Sequence, residues 1–326
     1  VIKPVKFLIL RFSSIGDIVL TTPVVRCLKE QYHQAEVHYF TKAKFGFLLE
    51  DNPFVDKLWL LDKSEGDVLK QLKQENFDYV IDLHNNLRTL KIKFVLGKPA
   101  FSYDKLNVQK FLLTNFKINR LPNVHIVDRY LDTLKRFNIT NDQKGLDYFF
   151  PKKDQIELNT LPVTHQSGFV AYAIGGQHFT KKLPVNRMIE LCAKINQPLI
   201  LLGGKEDFRS GEEVRNALSE RPIYNACGAY NFNQSASVIQ NASVVFSHDT
   251  GLMHVAAAFQ KPVYSIWGNT VPEFGMYPYL TSFEILENKD LNCRPCSKIG
   301  YKQCPKKHFK CMNELPFSFE ADQLLK

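Results

Sequence analysis

At 326 residues the chain is long enough for about two domains, each able to bury its own core. Its 44% hydrophobic and 23% charged residues are typical of a water-soluble globular protein, and no apolar run approaches the roughly 20 residues that span a bilayer. The net charge of +9 is dispersed, with no basic arm, helix-turn-helix or RNP-like pattern, so nucleic acid is not an expected partner; acidic small substrates or an anionic membrane surface suit such an excess at least as well.

The first residues pass directly into a strand over 6–11, without a signal-peptide stretch and cleavage site, so a cytoplasmic protein is expected. A helical pattern covers 17–31, with Ile18, Val19, Val24, Val25 and Leu28 apolar. Short strands follow at 36–40, 57–61 and 79–83, with helical candidates at 68–73 and 87–96. Around 154–167 the chain turns polar and carries Pro162, and then the alternation resumes. Strands at 169–173, 198–202, 243–246 and 263–267 take turns with helices at 185–195, 208–218 and 252–259. This pattern predicts an α/β protein of two Rossmann-like, doubly wound halves, residues 1–160 and 161–326.

In such sheets ligands gather at the carboxyl edge, where strands hand over to helices. The first half offers Arg11-Phe12-Ser13-Ser14-Ile15-Gly16-Asp17, which is neither G-x-G-x-x-G nor a Walker loop. Asp17 has a plain account as an acid in the first turn of a helix, where the dipole would also hold its pKa down unless burial offsets it. A catalytic role is the other account of the same residue.

The second half has three such handovers. Ile174-Gly175-Gly176-Gln177-His178-Phe179-Thr180-Lys181-Lys182-Leu183-Pro184 pairs glycines with lysines that can neutralise a diphosphate. Gly203-Gly204-Lys205-Glu206-Asp207 adds an acid that can hold a ribose or sugar hydroxyl. Ser247-His248-Asp249-Thr250-Gly251 leads a β-branched strand into a helix; Asp249 or Thr250 can cap it, and Gly251 lets an anion approach its first N–H groups. Taken alone, that last turn is equally well an ordinary capped helix with a packed or solvated His254. Three on one edge describe an interdomain cleft for a phosphorylated ligand.

Ser13-Ser14-Ile15-Gly16-Asp17-Ile18-Val19-Leu20-Thr21-Thr22-Pro23 resembles the amino-terminal signature of the lipopolysaccharide heptosyltransferases, glycosyltransferase family nine. Asp249-Thr250-Gly251-Leu252-Met253-His254-Val255-Ala256-Ala257 resembles their carboxyl-domain signature, and Lys181-Lys182-Leu183-Pro184 looks like their basic-basic-Trp-Pro element. The resemblance implies a GT-B fold and a metal-independent, inverting transfer from an ADP-heptose-type donor. It also implies an acceptor on the lipid A-core of lipopolysaccharide, reached by reversible contact with the inner-membrane surface; a monomer is expected. By position, Asp17 would be the general base on the acceptor hydroxyl, within the turn Ser13, Ser14 and Gly16. Lys181 would contact the donor phosphates, Glu206 the ribose and Asp249 the heptose hydroxyls, while Thr250 and Gly251 would meet the diphosphate. His254 would support the turn or face the nucleotide. Leu183 stands where the family usually has Trp, and Gly268-Asn269-Thr270-Val271-Pro272 replaces Gly-Pro-Thr-Asp-Pro, which leaves the base and sugar open. A catalytically silent nucleotide-sugar-binding protein of envelope assembly and a GT-B-type sugar-nucleotide epimerase are the alternatives.

Cys27, Cys192 and Cys227 read as small core residues within regular elements. Cys293, Cys296, Cys304 and Cys311 form C-x2-C-x7-C-x6-C in a lysine-rich loop, a spacing that suits either a structural zinc or reduced free thiols. No cofactor is required for catalysis in this reading, and stable disulfides are not expected.

Overall fold

The computed structural model describes residues 3–62 and 64–319. In chain order it contains β1 (Val5–Leu10), α1 (Ile15–Val19), α2 (Thr22–Gln31), β2 (Ala35–Lys42), β3 (Lys57–Leu61), α3 (Glu65–Gln74), β4 (Tyr79–Asp82), α4 (Leu87–Leu96), β5 (Ala100–Ser102), α5 (Asn107–Phe116) and α6 (Ile126–Leu131). There follow β6 (Val170–Ala173), α7 (Val185–Ala193), β7 (Leu199–Leu202), α8 (Phe208–Ala217), β8 (Ile223–Asn225), α9 (Phe232–Asn241), β9 (Val244–His248), α10 (Gly251–Ala258), β10 (Val263–Trp267), β11 (Phe283–Glu287) and α11 (Lys310–Asn313). The chain forms two compact units, Val1–Lys105 with Val124–Pro151, and Leu106–Asn123 with Lys152–Lys326.

In the first unit five parallel strands are ordered β3-β2-β1-β4-β5. Phe7, Leu8, Ile9 and Leu10 of β1 are fully buried, as a central strand covered on both faces requires. The chain steps outward from β1 to β3 and then returns to lay β4 on the other flank of β1. Crossovers therefore diverge at the β1/β4 pair, and the turns after these two strands lie at a topological switch point.

One expected helix, 17–31, is two. Pro23 has no N–H to donate, so it is accommodated in the opening turn of α2 while α1 stops at Val19. The Thr21 hydroxyl closes the break by donating to the Ile18 carbonyl at 2.7 Å.

Arg26 on α2 is buried and brings 142–147 back onto this unit. Its Nε and Nη2 donate to the Asp142 carboxylate at 2.8 and 2.9 Å, Nη2 reaches the Gly145 carbonyl at 2.8 Å, and Nη1 pairs with Asp147. Burial pushes the Asp142 carboxyl up, but the Arg26 guanidinium and the Lys144 amide and charge together outweigh it and the net shift is downward.

The second unit has six parallel strands in the order β11-β10-β9-β6-β7-β8. Here the switch falls at β6/β9, so the turns after β6, β7 and β9 share one edge. Gly175 and Gly176 make this edge tight. A Cβ on Gly175 would come within 2.8 Å of Asp207 Oδ2 and 3.3 Å of Gly203 Cα; one on Gly176 would sit 3.2 Å from Lys182 Cγ and 3.4 Å from Thr250 Cγ2.

Leu106–Asn123 lies with this unit rather than with the first half of the sequence. Leu113 of α5 packs with Val271, Phe274 and Leu121, and Lys117 Nζ donates to the Pro295 carbonyl at 2.7 Å. The polar stretch near residue 160 is also anchored: Asp154 is buried and accepts from Asn231 and Asn233 at 2.9 and 3.1 Å. No described helix is long and apolar enough to cross a membrane.

Arg26→Ala leaves two carboxylates without their buried partner and should cost about 3–5 kcal/mol of unfolding free energy in urea titration. A loss below about 1 kcal/mol, the value of an exposed pair, would show that the network does not hold 142–147 in place.

Candidate functional site

At the first switch point the Asp17 carboxylate is held from two sides. The Ser14 amide and hydroxyl both donate to Oδ2, at 2.8 and 2.7 Å, and Arg11 Nη2 meets Oδ1 at 2.5 Å. The Ser14 amide held by the Asp17 carboxylate is the N3-to-N-cap contact of a capping box, and it helps a five-residue helix start shortly after the strand. Arg11 is buried and fixed by the Ser13 carbonyl at 2.8 Å, the Tyr130 hydroxyl at 2.9 Å and the Leu83 carbonyl. Burial pushes the Asp17 carboxyl up, but Arg11 and Ser14 prevail and hold it below the ordinary carboxylate range. It is thus ionised at neutral pH, with its side chain 20% exposed. Gly16 is buried beneath the turn.

His84, after β4, joins this edge without having been singled out in the sequence. Burial, followed by the charge of Arg11, lowers its pKa to about 4, so the imidazole is neutral at pH 7. The signal was positional: a His directly follows a buried strand end, Ile81-Asp82-Leu83. Arg11 gave a similar signal, a cation closing the apolar run Phe7-Leu8-Ile9-Leu10.

On the second unit, Lys181 Nζ binds Asp249 twice, at 2.6 Å to Oδ2 and 3.0 Å to the carbonyl, and the Thr270 hydroxyl donates to Oδ2 at 2.8 Å. Lys182 Nζ pairs with Asp207 Oδ1 at 2.9 Å, and the Gly204 amide donates to Asp207 Oδ2 at 3.0 Å. Lys181, Asp249, Thr250 and Gly251 are therefore brought together, Lys182 stands beside them as its sequence position suggests, and Asp207 and Thr270 join them unforeseen. Glu206 stands exposed on the turn 205–207, folded over Gly204.

The expected cap is absent from α10. Thr250 occupies the N-cap with extended backbone, but its side chain makes no cap hydrogen bond, and the Asp249 carboxylate is turned away to Lys181 and Thr270. The start of the helix keeps its N–H donors, with a lysine beside them, a combination suited to an anion. His254 is buried in the helix at 2% exposure. Leu183 is buried in the core, and its amide donates to His248 Nε2 at 3.0 Å. His248 is wholly buried, and burial, with Lys182 adding to it, lowers its pKa to about 3. Asn269 is buried and joins the end of β10 to the cysteine loop through Ser297, at 3.1 Å, and through the Cys296 amide, at 3.0 Å.

All seven cysteines are free thiols. Cys27 and Cys192 are buried in α2 and α7, while Cys227 lies just beyond β8 rather than within an element. The four loop thiols lie near enough to affect one another's charge, but among the described residues no three Cys, His, Asp or Glu side chains are grouped to hold a metal ion. Cys293 Sγ lies 4.0 Å from His308 Nε2, Cys296 Sγ donates to the Cys293 carbonyl at 3.1 Å, Cys304 is partly buried against the core and Cys311 is buried within it. What organises the loop is Arg294, whose guanidinium binds the Gly268, Asn288 and Thr270 carbonyls and the Glu287 carboxylate.

A family model described as glycosyltransferase family 9 (heptosyltransferase) matches residues 66–308. Lipopolysaccharide heptosyltransferase 1 of Campylobacter coli is 25% identical over 289 residues, covering 81% of this chain and 84% of that protein. The solved structure of Escherichia coli ADP-heptose LPS heptosyltransferase II aligns with a TM-score of 0.69 at 20% identity, over 95% of this chain and 98% of that one. That of an E. coli heptosyltransferase with ADP-2-deoxy-2-fluoro heptose aligns with 0.63 at 18% identity, over 82% and 90%. The fold is GT-B.

Because His248 is buried neutral, its folded pKa lies below the unfolded value near 6.5, so its contribution to stability is complete above that value and declines as pH falls toward about 3. His248→Gln, which keeps an acceptor for the Leu183 amide, should be less stable than the parent at pH 7 by a margin that shrinks by pH 5 in urea titrations. A margin constant across that interval would place the titration elsewhere.

Proposed function

The chain belongs to glycosyltransferase family 9, the heptosyltransferases, and is a glycosyltransferase; on that premise we propose that it transfers a heptose from an ADP-heptose-type donor to the inner core of lipopolysaccharide, with inversion and without a catalytic metal. The observation that carries the reading is the Lys181–Asp249–Thr270 cluster at the uncapped start of α10. When the donor binds, Lys181 and the first N–H groups of α10 receive the diphosphate, and Asp249 turns to the sugar hydroxyls. These positive groups stabilise the negative charge that grows on the departing nucleotide, the part a metal plays in other transferases. Glu206, exposed on its turn, takes the ribose hydroxyls. The co-structure of an E. coli relative with an ADP-heptose analogue supports this donor class.

Asp17 acts on the acceptor. Oδ2 already accepts twice from Ser14, but Oδ1 is engaged only by Arg11 and keeps a lone pair, so the ionised group can accept the acceptor hydroxyl. As that oxygen attacks the anomeric carbon its proton becomes acidic and passes to Asp17. The carbon–oxygen bond to the diphosphate breaks on the opposite face, and the nucleotide leaves with the electron pair. The depressed pKa makes Asp17 a modest base, and the transfer is completed late, when the hydroxyl has become the stronger acid. Arg11 is a positioning residue that keeps the carboxylate ionised and aimed.

Asp17→Asn should lower kcat by about a hundredfold or more on truncated lipopolysaccharide, with donor affinity by calorimetry changed less than about twofold. Lys181→Ala should show the reverse emphasis and weaken donor binding about tenfold or more. Wild-type turnover in Asp17→Asn would remove the base. Conversion of donor in the absence of acceptor, followed by nuclear magnetic resonance, would replace transfer with epimerisation.

A further inference from the structure

α4 turns apolar side chains outward as well as inward. Ile92 and Leu96 are buried in the core of the first unit, whereas Leu87, Leu90 and Phe94 are 85%, 58% and 86% exposed. At the helical repeat the outward three fall within about 60° of one another, on a single face. Single exposed apolar residues are ordinary, but a stripe on one helix face marks a contact surface.

The charges around the stripe identify what it contacts. The helix, Leu-Arg-Thr-Leu-Lys-Ile-Lys-Phe-Val-Leu, contains no acid. Lys93 is matched by Asp82 at 2.8 Å. Arg88 and Lys91 share one carboxylate, Glu65, at 3.3 and 3.0 Å, and among the described residues Lys98 meets an amide oxygen of Asn76 at 2.6 Å and no carboxylate. The face is left with more cations than anions. Leucine and phenylalanine flanked by surplus lysine and arginine are what an interfacial helix presents to anionic lipid. A second copy of the face would set these cations against one another, and one ten-residue helix offers far less than the roughly 1,200–2,000 Å² buried by a stable protein interface.

The stripe also adjoins the Asp17 turn within the same unit. The Arg88 guanidinium carbon sits 5.7 Å from the centre of the Phe12 ring, and Phe12 stands between Arg11 and Ser13. We propose that the outer face of α4, formed by Leu87, Leu90 and Phe94 with Arg88, Lys91 and Lys98 around it, docks reversibly on an anionic bilayer surface. In that position it holds the Asp17 turn at the lipid boundary, where a lipid-borne acceptor presents its sugars; this purpose rests on the acceptor proposed above, while the docking itself does not.

The test is sedimentation of the full-length chain with vesicles of phosphatidylglycerol in phosphatidylethanolamine, against vesicles of phosphatidylcholine alone. Binding is expected on the anionic vesicles only and should weaken as salt is raised. Leu87→Gln combined with Phe94→Gln should reduce partitioning about tenfold or more, and Lys98→Glu several-fold, with melting curves and donor affinity unchanged because Leu87 and Phe94 are exposed and Lys98 is only half-buried. Equal partitioning of parent and variants would overturn the proposal, as would equal binding to phosphatidylcholine. So would a parent that is oligomeric and becomes monomeric in the Leu87/Phe94 variant, which would assign the face to a second copy. Vesicle binding is read without sugar, so retained binding with no transfer strikes only the assigned reaction, and retained transfer with no binding strikes only the docking face.

Discussion

Each sheet is parallel throughout, and in each the crossover direction reverses between two neighbouring strands, β1/β4 in one unit and β6/β9 in the other. A parallel strand must be followed by a crossover that leaves the sheet to one face or the other. Where two neighbouring crossovers diverge, the carboxyl ends of the strands between them stay uncovered. Their backbone groups then need partners from the turns themselves. Asp82 supplies one such set, accepting from the His84 and Asn85 amides at 3.1 and 2.7 Å, and Asp207 supplies another through the Gly204 amide. Polar turns and candidate chemistry therefore share a location for the same reason.

Both edges are built from pre-paired charges. Arg11 with Asp17, Lys181 with Asp249 and Lys182 with Asp207 satisfy one another while the ligand is elsewhere. Such pairs contribute little net stability, since desolvation consumes most of their attraction. Their value is geometric: a charged ligand exchanges partners with a group already in place. Neutral histidines lie behind two of these pairs, His84 near Arg11 and His248 near Lys182. His248 accepts the Leu183 amide in the core, and neither imidazole adds a further charge to an already basic neighbourhood.

The second unit carries its departures from the family pattern into packing. Leu183 buries its side chain in the core, and Asn269 with Arg294 ties the cysteine loop to the end of β10. That loop in turn receives Lys117, from the segment that carries α5. A piece of chain from the middle of the sequence is thus built into this unit by contacts no local pattern announces.

Much was readable from local order. The runs 57–61, 87–96 and 263–267 form elements with the expected ends, because hydrophobic period and turn residues agree there. The break before Pro23 and the Asn231–Gln234 capping box that starts α9 were written in the sequence and overlooked. The short edge strands β5, β8 and β11 were not readable, since three to five residues at a sheet margin are recruited by a neighbour's free hydrogen-bonding groups rather than by their own periodicity. The sequence by itself determined the alternating α/β plan and the turns that bear Asp17, Lys181 and Asp249, but not that residues 106–123 belong with the second unit. Only the tertiary structure decided which charges meet, because Arg11–Asp17, Lys181–Asp249 and Lys182–Asp207 are set by strand order, crossover direction and the burial that strengthens each pair.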